Sequence, residues 1–76
     1  MVTTNIGERI RACRDRLGLS QRELATRMGR DQVTLSRWEL GKAVPSASAL
    51  GDLSSALGVT TDYLLGVSAP GTGTGG

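Results

Sequence analysis

The segment from Ser20 to Gly41 contains two short amphipathic stretches separated by one glycine, and this arrangement restricts the fold more than any other feature. Ser20 and Glu23 form a capping-box pattern that predicts the start of a helix, and Gly29 predicts its end. Asp31 can cap a second helix that ends near Gly41. The apolar residues on one face of this pair are Leu24, Ala25, Met28, Leu35 and Trp38. The sequence therefore predicts two short helices that pack against each other across a tight turn.

Three further helices are predicted around this pair. A first amphipathic helix covers residues 6–17 and begins after Thr4 or Asn5. Ser46 caps a fourth helix that ends before Gly58, and a short fifth starts at residue 60 or 61 and ends before residue 66. No internal repeat and no sustained strand-like alternation is present. The predicted fold class is therefore all-α, with five compact helices.

The length of the chain allows one domain. A chain of 76 residues has room for a single small core. Residues 1–66 contain every predicted helix, whereas residues 67–76 are rich in glycine and threonine and offer little to pack. We expect residues 1–66 to form the folded domain and residues 67–76 to form a flexible tail or a linker.

The side-chain inventory argues against catalysis and against bound metal. The chain has one cysteine and no histidine, whereas a structural zinc site usually needs four Cys or His ligands. The serines have no histidine that could activate them as nucleophiles. Cys13 falls on the apolar face of the first helix, so we expect a buried thiol, with a redox sensor as the alternative. We predict neither an enzyme nor a cofactor.

Positive charge is concentrated in the first part of the chain. All nine Lys and Arg residues lie at or before Lys42, together with five of the seven acidic residues, so this part carries +4 and the remainder carries −2. A basic surface suits a polyanion, although it is also compatible with an ordinary solvated helix surface. No apolar run approaches the roughly 18 residues that a membrane span needs, and no export signal is visible. We expect a soluble protein that stays in the cytoplasm.

Two short helices around a glycine turn are typical of a helix-turn-helix. In this motif the first helix lies across the DNA backbone and the second enters the major groove, so the turn must hold the two helices at a fixed angle. Ala25 provides the small residue that a close helix approach needs, and Gly29 tolerates the positive φ that the turn needs. Leu24, Leu35 and Trp38 are expected to share one core.

The sequence resembles the phage-repressor and Cro-like helix-turn-helix family, also called the XRE class, over about residues 6–66. The resemblance rests on four blocks in order: Ile6–Arg11, Gly18–Ala25, Thr34–Lys42 and Ala56–Leu65. It implies a compact five-helix domain of the lambda-repressor type with a central helix-turn-helix. It also implies binding to operator DNA as a two-fold dimer and a role in transcriptional regulation.

By position, the resemblance implies that the third helix turns one side toward the bases. The amide of Gln32 suits adenine N6 and N7, the guanidinium of Arg37 suits guanine O6 and N7, and Val33 could contact a thymine methyl. We expect base contacts from Gln32, Val33, Ser36 and Arg37.

Phosphate contacts are expected from residues that flank this helix. The resemblance implies that the amide of Gln21 contacts a phosphate and also braces the recognition helix. Arg30 departs from the family pattern, which commonly has an apolar residue at this position of the turn. The expected phosphate contacts are Gln21, Arg22, Arg30, Thr34 and Lys42.

Other positions are expected to support the motif or to join two copies of the chain. Arg14 and Glu39 match a pair that bridges the first and third helices in relatives. Stacking of Trp38 on a base is conceivable, but its position in the helix favours the core. The expected structural residues are Arg14, Glu39, Ala25, Gly29, Leu35 and Trp38. Family members often pair through the fifth helix, so the expected dimer contacts are Tyr63, Leu64 and Leu65.

These inferences predict a sequence-specific regulator of transcription that acts as a repressor. We expect it in a bacterial or phage setting and in association with the nucleoid. Its expected partners are double-stranded DNA with a pseudo-palindromic operator and a second copy of the chain. One alternative is an antitoxin-like module that binds a protein partner and regulates its own gene. Another is that the chain is the N-terminal DNA-binding part of a longer regulator whose C-terminal domain is missing here.

Overall fold

The computed structural model describes residues 5–66 and folds them into five helices. They are α1 (Ile6–Arg16), α2 (Gln21–Met28), α3 (Gln32–Glu39), α4 (Ala47–Leu57) and α5 (Thr61–Leu65). This part of the chain has no strand, so the predicted all-α fold with five helices is confirmed. The predicted tail or linker at 67–76 lies outside the described residues. None of the helices within 5–66 is long and apolar enough to cross a membrane.

Local side-chain chemistry sets the start of most helices. The Asn5 side chain accepts a hydrogen bond from the Glu8 amide at 2.8 Å, and Ser20 and Glu23 exchange hydrogen bonds in a complete capping box. The Thr60 side chain caps α5 in the same way, by accepting from the Tyr63 amide. Each of these bonds satisfies a backbone group that has no partner inside the helix.

Asp31 behaves differently from this pattern. It occupies the N-cap position of α3 with extended backbone angles, but its side chain makes no hydrogen bond to the helix. The predicted start of α3 is therefore in the expected place, although the predicted cap bond is absent. The negative charge of Asp31 still lies at the positive end of the helix dipole, where it is electrostatically favourable.

One apolar core joins all five helices. Cys13 is buried in it, as the sequence predicts. The buried apolar residues are Ile10, Cys13, Leu24, Ala25, Leu35, Trp38, Ala49, Leu53, Leu57 and Leu64. Because α1, α2 and α3 all contribute to this core, the orientation of α3 depends on packing as well as on the turn that precedes it.

The turn between α2 and α3 has the geometry that a glycine makes possible. Gly29 has φ +69°, in the left-handed region, and it ends α2. The amide of Arg30 then donates to the carbonyl of Ala25 at 2.9 Å. Only two residues, Arg30 and Asp31, separate this glycine from the first residue of α3, so the two helices meet across a short connection.

Candidate nucleic-acid interface

The exposed side of α3 carries the side chains that were predicted to contact bases. Gln32, Val33 and Arg37 are exposed, and Ser36 is half-buried. The exposed fraction of Val33 is 68%. Gln32 and Ser36 are four residues apart, and so are Val33 and Arg37, so the four side chains lie along one face of the helix. Within residues 5–66, no hydrogen bond or ion pair to another part of the protein engages the side chain of Gln32 or Arg37. This face is therefore available to a partner.

The opposite side of α3 is fixed to the body of the protein. Leu35 and Trp38 are buried in the shared core, and this agrees with the expected structural role of both residues. The burial of Trp38 also removes its ring from a position where it could stack on a base. With its back embedded in a packed core, the helix can present its polar face without moving as a whole.

An ion pair between α1 and α3 holds the C-terminal end of α3. Arg14 donates from Nε to Glu39 Oε2 at 2.7 Å and from Nη2 to Glu39 Oε1 at 3.0 Å. The side chains are only 12% and 4% exposed. The bond to Glu39 is the largest cause that raises the pKa of Arg14, although burial acts in the opposite direction. A two-pronged bond of this kind fixes distance and orientation together.

Gln21 connects α2 to the same carboxylate. Its amide nitrogen donates to Glu39 Oε1 at 3.0 Å, so its side chain contacts α3 directly. This geometry matches the bracing part of the role expected for Gln21. Its contact with a phosphate stays a prediction. Because Arg14 also donates to the carbonyl of Leu19 at 2.8 Å, the network joins α1, α3 and the loop before α2.

The other residues predicted to contact phosphates lie in different surroundings. Arg22 on α2 and Lys42 in the loop after α3 are exposed, and Thr34 is half-buried. Arg30 is engaged within the protein, because its Nη2 lies 2.9 Å from Asp52 Oδ2 on α4. The charge of Arg30 is thus already paired, whereas Arg22 and Lys42 form no ion pair within residues 5–66.

Gly7 is a supporting residue that was not singled out in the sequence. It is buried in the first turn of α1, and a Cβ built on it would overlap the carbonyl oxygen of Trp38 and lie 2.8 Å from that of Glu39. Only glycine lets the start of α1 approach the end of α3 this closely. A glycine on the apolar face of an otherwise regular helix was the available signal.

The three predicted dimer contacts do not share one environment. Tyr63 and Leu65 are exposed, whereas Leu64 is completely buried in the core. The prediction that Leu64 contributes to a dimer surface is therefore wrong, because α5 is amphipathic and uses this side chain to close its own core. Sequence inspection also missed Leu40 and Val44, two exposed apolar residues in the connection between α3 and α4.

The combination of fold and site defines a class of protein. The chain belongs to the helix-turn-helix family, whose profile matches residues 10–64. This assignment agrees with the geometry, since the match contains the turn at Gly29 and the whole of α3. It confirms the family resemblance that the sequence motifs indicate.

Known members of this class are similar in sequence and in fold. The chain is 42% identical over 59 residues to the SPbeta prophage-derived uncharacterized HTH-type transcriptional regulator YonR of Bacillus subtilis, covering 78% of this chain and 55% of that protein. It is 42% identical over 65 residues to Repressor protein C2 of Salmonella phage P22, covering 86% of this chain and 30% of that protein. The solved P22 c2 repressor in complex with synthetic operator 9T superposes with a TM-score of 0.82 and 39% identity, covering 87% of this chain and 100% of that one.

The similarity to YonR and to Repressor protein C2 covers only part of each of these proteins. The chain spans about half the length of YonR and less than a third of Repressor protein C2. Part of the solved HppE chain has the same fold at 23% identity and a TM-score of 0.74, covering 36% of that chain, which is a likeness of fold alone. Because one fold can serve unrelated functions, the function of this chain must be argued from its site.

Proposed function

We propose that this chain is a sequence-specific double-stranded DNA-binding regulator of transcription, acting as a repressor, and that α3 enters the major groove. The observation that carries the proposal is the two-sided character of α3. Gln32, Val33 and Arg37 are exposed, and the side chains of Gln32 and Arg37 make no hydrogen bond or ion pair within residues 5–66, while Leu35 and Trp38 fix the back of the helix. A helix with these properties fits the width of the major groove and can present side chains to base edges.

The chemistry of the exposed face suits direct contact with bases. The guanidinium of Arg37 can donate two hydrogen bonds to guanine, the amide of Gln32 can both donate to and accept from adenine, and Val33 can pack on a thymine methyl. Lys42, Arg22, Thr34 and the free part of the Gln21 amide would then contact phosphates and set the register. The activity is binding without catalysis, and no cofactor is required.

The proposal includes a second copy of the chain on DNA. Two copies related by a two-fold axis would place two recognition helices in successive major grooves, about one helical turn apart, on a pseudo-palindromic operator. The P22 c2 repressor, which is similar over most of the chain, was solved in complex with a synthetic operator. A regulator of this kind acts where the DNA is, in the bacterial cytoplasm. A separate protein partner stays a prediction.

Selection of bound sequences from random duplex DNA, followed by titration of the preferred duplex, tests the function. We expect Arg37→Ala to weaken binding to that duplex by about 1–3 kcal/mol, because one bidentate base contact is lost. Arg11→Ala is the matched control. It removes the same charge from the exposed surface of α1, where Arg11 lies 3.9 Å from Asp15.

The two variants separate base recognition from general charge. The proposal requires Arg37→Ala to lose preference for the selected duplex while Arg11→Ala keeps it. Equal losses in both variants, or no preferred duplex for the unmodified protein, would contradict it.

A further inference from the structure

The guanidinium of Arg30 contacts two different elements at once. Its Nη2 lies 2.9 Å from Asp52 Oδ2 on α4, and its Cζ lies 5.9 Å from the centroid of the Trp38 ring on α3. Arg30 itself belongs to the turn between α2 and α3. One side chain therefore connects the turn, the recognition helix and α4.

This link reaches α3 at a different residue from the other polar contacts described above. The ion pair of Arg14 and the amide of Gln21 both reach Glu39, at the end of α3. Arg30 instead covers the ring of Trp38 and is held by Asp52. A guanidinium over an indole ring is attracted by the electrons of the ring, so the position of Asp52 bears on the position of Trp38.

The surroundings of Arg30 also disfavour movement of its guanidinium to a phosphate. The side chain is only 31% exposed, and its Nε is buried without a hydrogen-bond partner among the described residues. Moving the guanidinium to a phosphate would break the bond to Asp52 and uncover Trp38. A partly desolvated charge with a partner already in place is poorly suited to a phosphate contact.

We propose that Arg30 is a positioning residue that sets the orientation of α3 through Trp38, and that Asp52 holds it in that role. The inference rests on the proposed DNA binding and replaces the phosphate contact that the sequence predicted for Arg30. Sequence preference then depends on an ion pair that touches no base. Loss of either partner lets α3 shift relative to the body of the protein and weakens the match of Gln32 and Arg37 to base edges.

The test measures binding to the preferred duplex and to random duplex over a range of salt concentrations. We expect Arg30→Met, which keeps an aliphatic stem, to lower the ratio of specific to random affinity about fivefold, as expected for one partly exposed ion pair. The slope of log affinity against log salt should not change, because no phosphate contact is lost. Asp52→Asn should lower the same ratio, and the double variant should lower it no further than the larger single effect.

Lys42→Met is the matched control for a phosphate contact. It removes one exposed positive charge and should reduce the salt slope by about 0.9, with an unchanged affinity ratio. If Arg30→Met behaves like Lys42→Met, Arg30 contacts a phosphate and the inference is overturned. It is also overturned if Asp52→Asn leaves the affinity ratio unchanged.

Fluorescence of the free protein provides a readout that does not depend on DNA. Trp38 is the single tryptophan of the chain, so its emission reports the contact with Arg30 directly. Both Arg30→Met and Asp52→Asn should shift this emission while circular dichroism shows the helices intact. Unchanged emission in both would overturn the link. A wild-type protein that prefers no duplex would overturn the proposed function together with the inference, whereas a clear preference that both variants retain would overturn the inference alone.

Discussion

Glu39 receives three hydrogen bonds from two different elements, although its side chain is almost completely buried. Two come from Arg14 and one from Gln21. A buried carboxylate is costly unless it is paired and hydrogen-bonded, and here both conditions are met. At the scale of single residues, this carboxylate connects the supporting helices to the helix that we propose for DNA recognition.

Replacing the carboxylate tests this role. We expect Glu39→Gln to lower the free energy of unfolding by about 3 kcal/mol, because Arg14 keeps its buried charge and loses its partner. This loss of stability is at the low end of the range for such changes, because Asp15 Oδ1 lies 3.4 Å from Arg14 Nη1 and can compensate in part for the lost partner. Urea unfolding monitored by the fluorescence of Trp38 measures it. Asp15→Asn is the control, since that carboxylate is exposed and its loss should cost about 1 kcal/mol at most.

At the scale of elements, the approach of α1 to α3 decides how α3 is held, and we propose α3 for DNA recognition. The first turn of α1 lies against the last carbonyl groups of α3, and Gly7 is the point of contact. A side chain there would push on backbone atoms, which cannot move aside as a flexible side chain can. The helix ends therefore form a close backbone contact that packing elsewhere must accommodate.

A single methyl group is enough to test this contact. We expect Gly7→Ala to destabilise the fold by about 1–3 kcal/mol, the usual cost of overpacking, and to weaken binding to the preferred duplex. Gly51→Ala is the control, because Gly51 lies in α4 and a Cβ added to it would have open space around it. That change should leave stability equal or raise it by up to about 1 kcal/mol, since alanine favours a helix. Thermal melting of both variants measures the difference. Equal melting temperatures would contradict the proposed role of the Gly7 contact.

At the scale of the whole molecule, one face of the domain recognises DNA in our proposal and another joins two copies. Positive charge is confined to the chain up to Lys42, which includes the whole helix-turn-helix. Tyr63 and Leu65 are exposed on α5, after the last basic residue in the sequence. Arg9 lies over the Tyr63 ring at 5.2 Å and donates to its carbonyl oxygen at 3.3 Å, so this surface is connected to α1.

Pairing of two copies should therefore depend on α5. We expect Leu65→Ser to weaken binding to the full operator about tenfold, through loss of apolar contact between copies, with no change on an isolated half-site. Leu17→Ser is a close control, because Leu17 is 48% exposed and Leu65 is 49% exposed. Gel-shift titrations with full and half operators, together with the number of chains bound per duplex, measure the effect. An equal loss on the half-site would place Leu65 outside the pairing surface.

Local signals in the sequence were sufficient to predict the five helices. The capping box at Ser20, the left-handed glycines and the apolar spacing each act over a few residues, so helix order and limits could be inferred without a structure. The exposed face of α3 followed from the same spacing. Gly29 and the buried pair Leu35 and Trp38 were recognised for this reason.

The family resemblance indicated one contact between distant residues, the pair of Arg14 and Glu39, but others needed the folded chain. Arg30 and Asp52 are 22 residues apart, and no local pattern indicates that this arginine turns to α4 rather than to DNA. The burial of Leu64 and the backbone contact of Gly7 likewise depend on how α5 and α3 pack on α1. Short-range hydrogen bonds and side-chain periodicity are properties of a segment, whereas the partner of a side chain depends on which helices packing brings together.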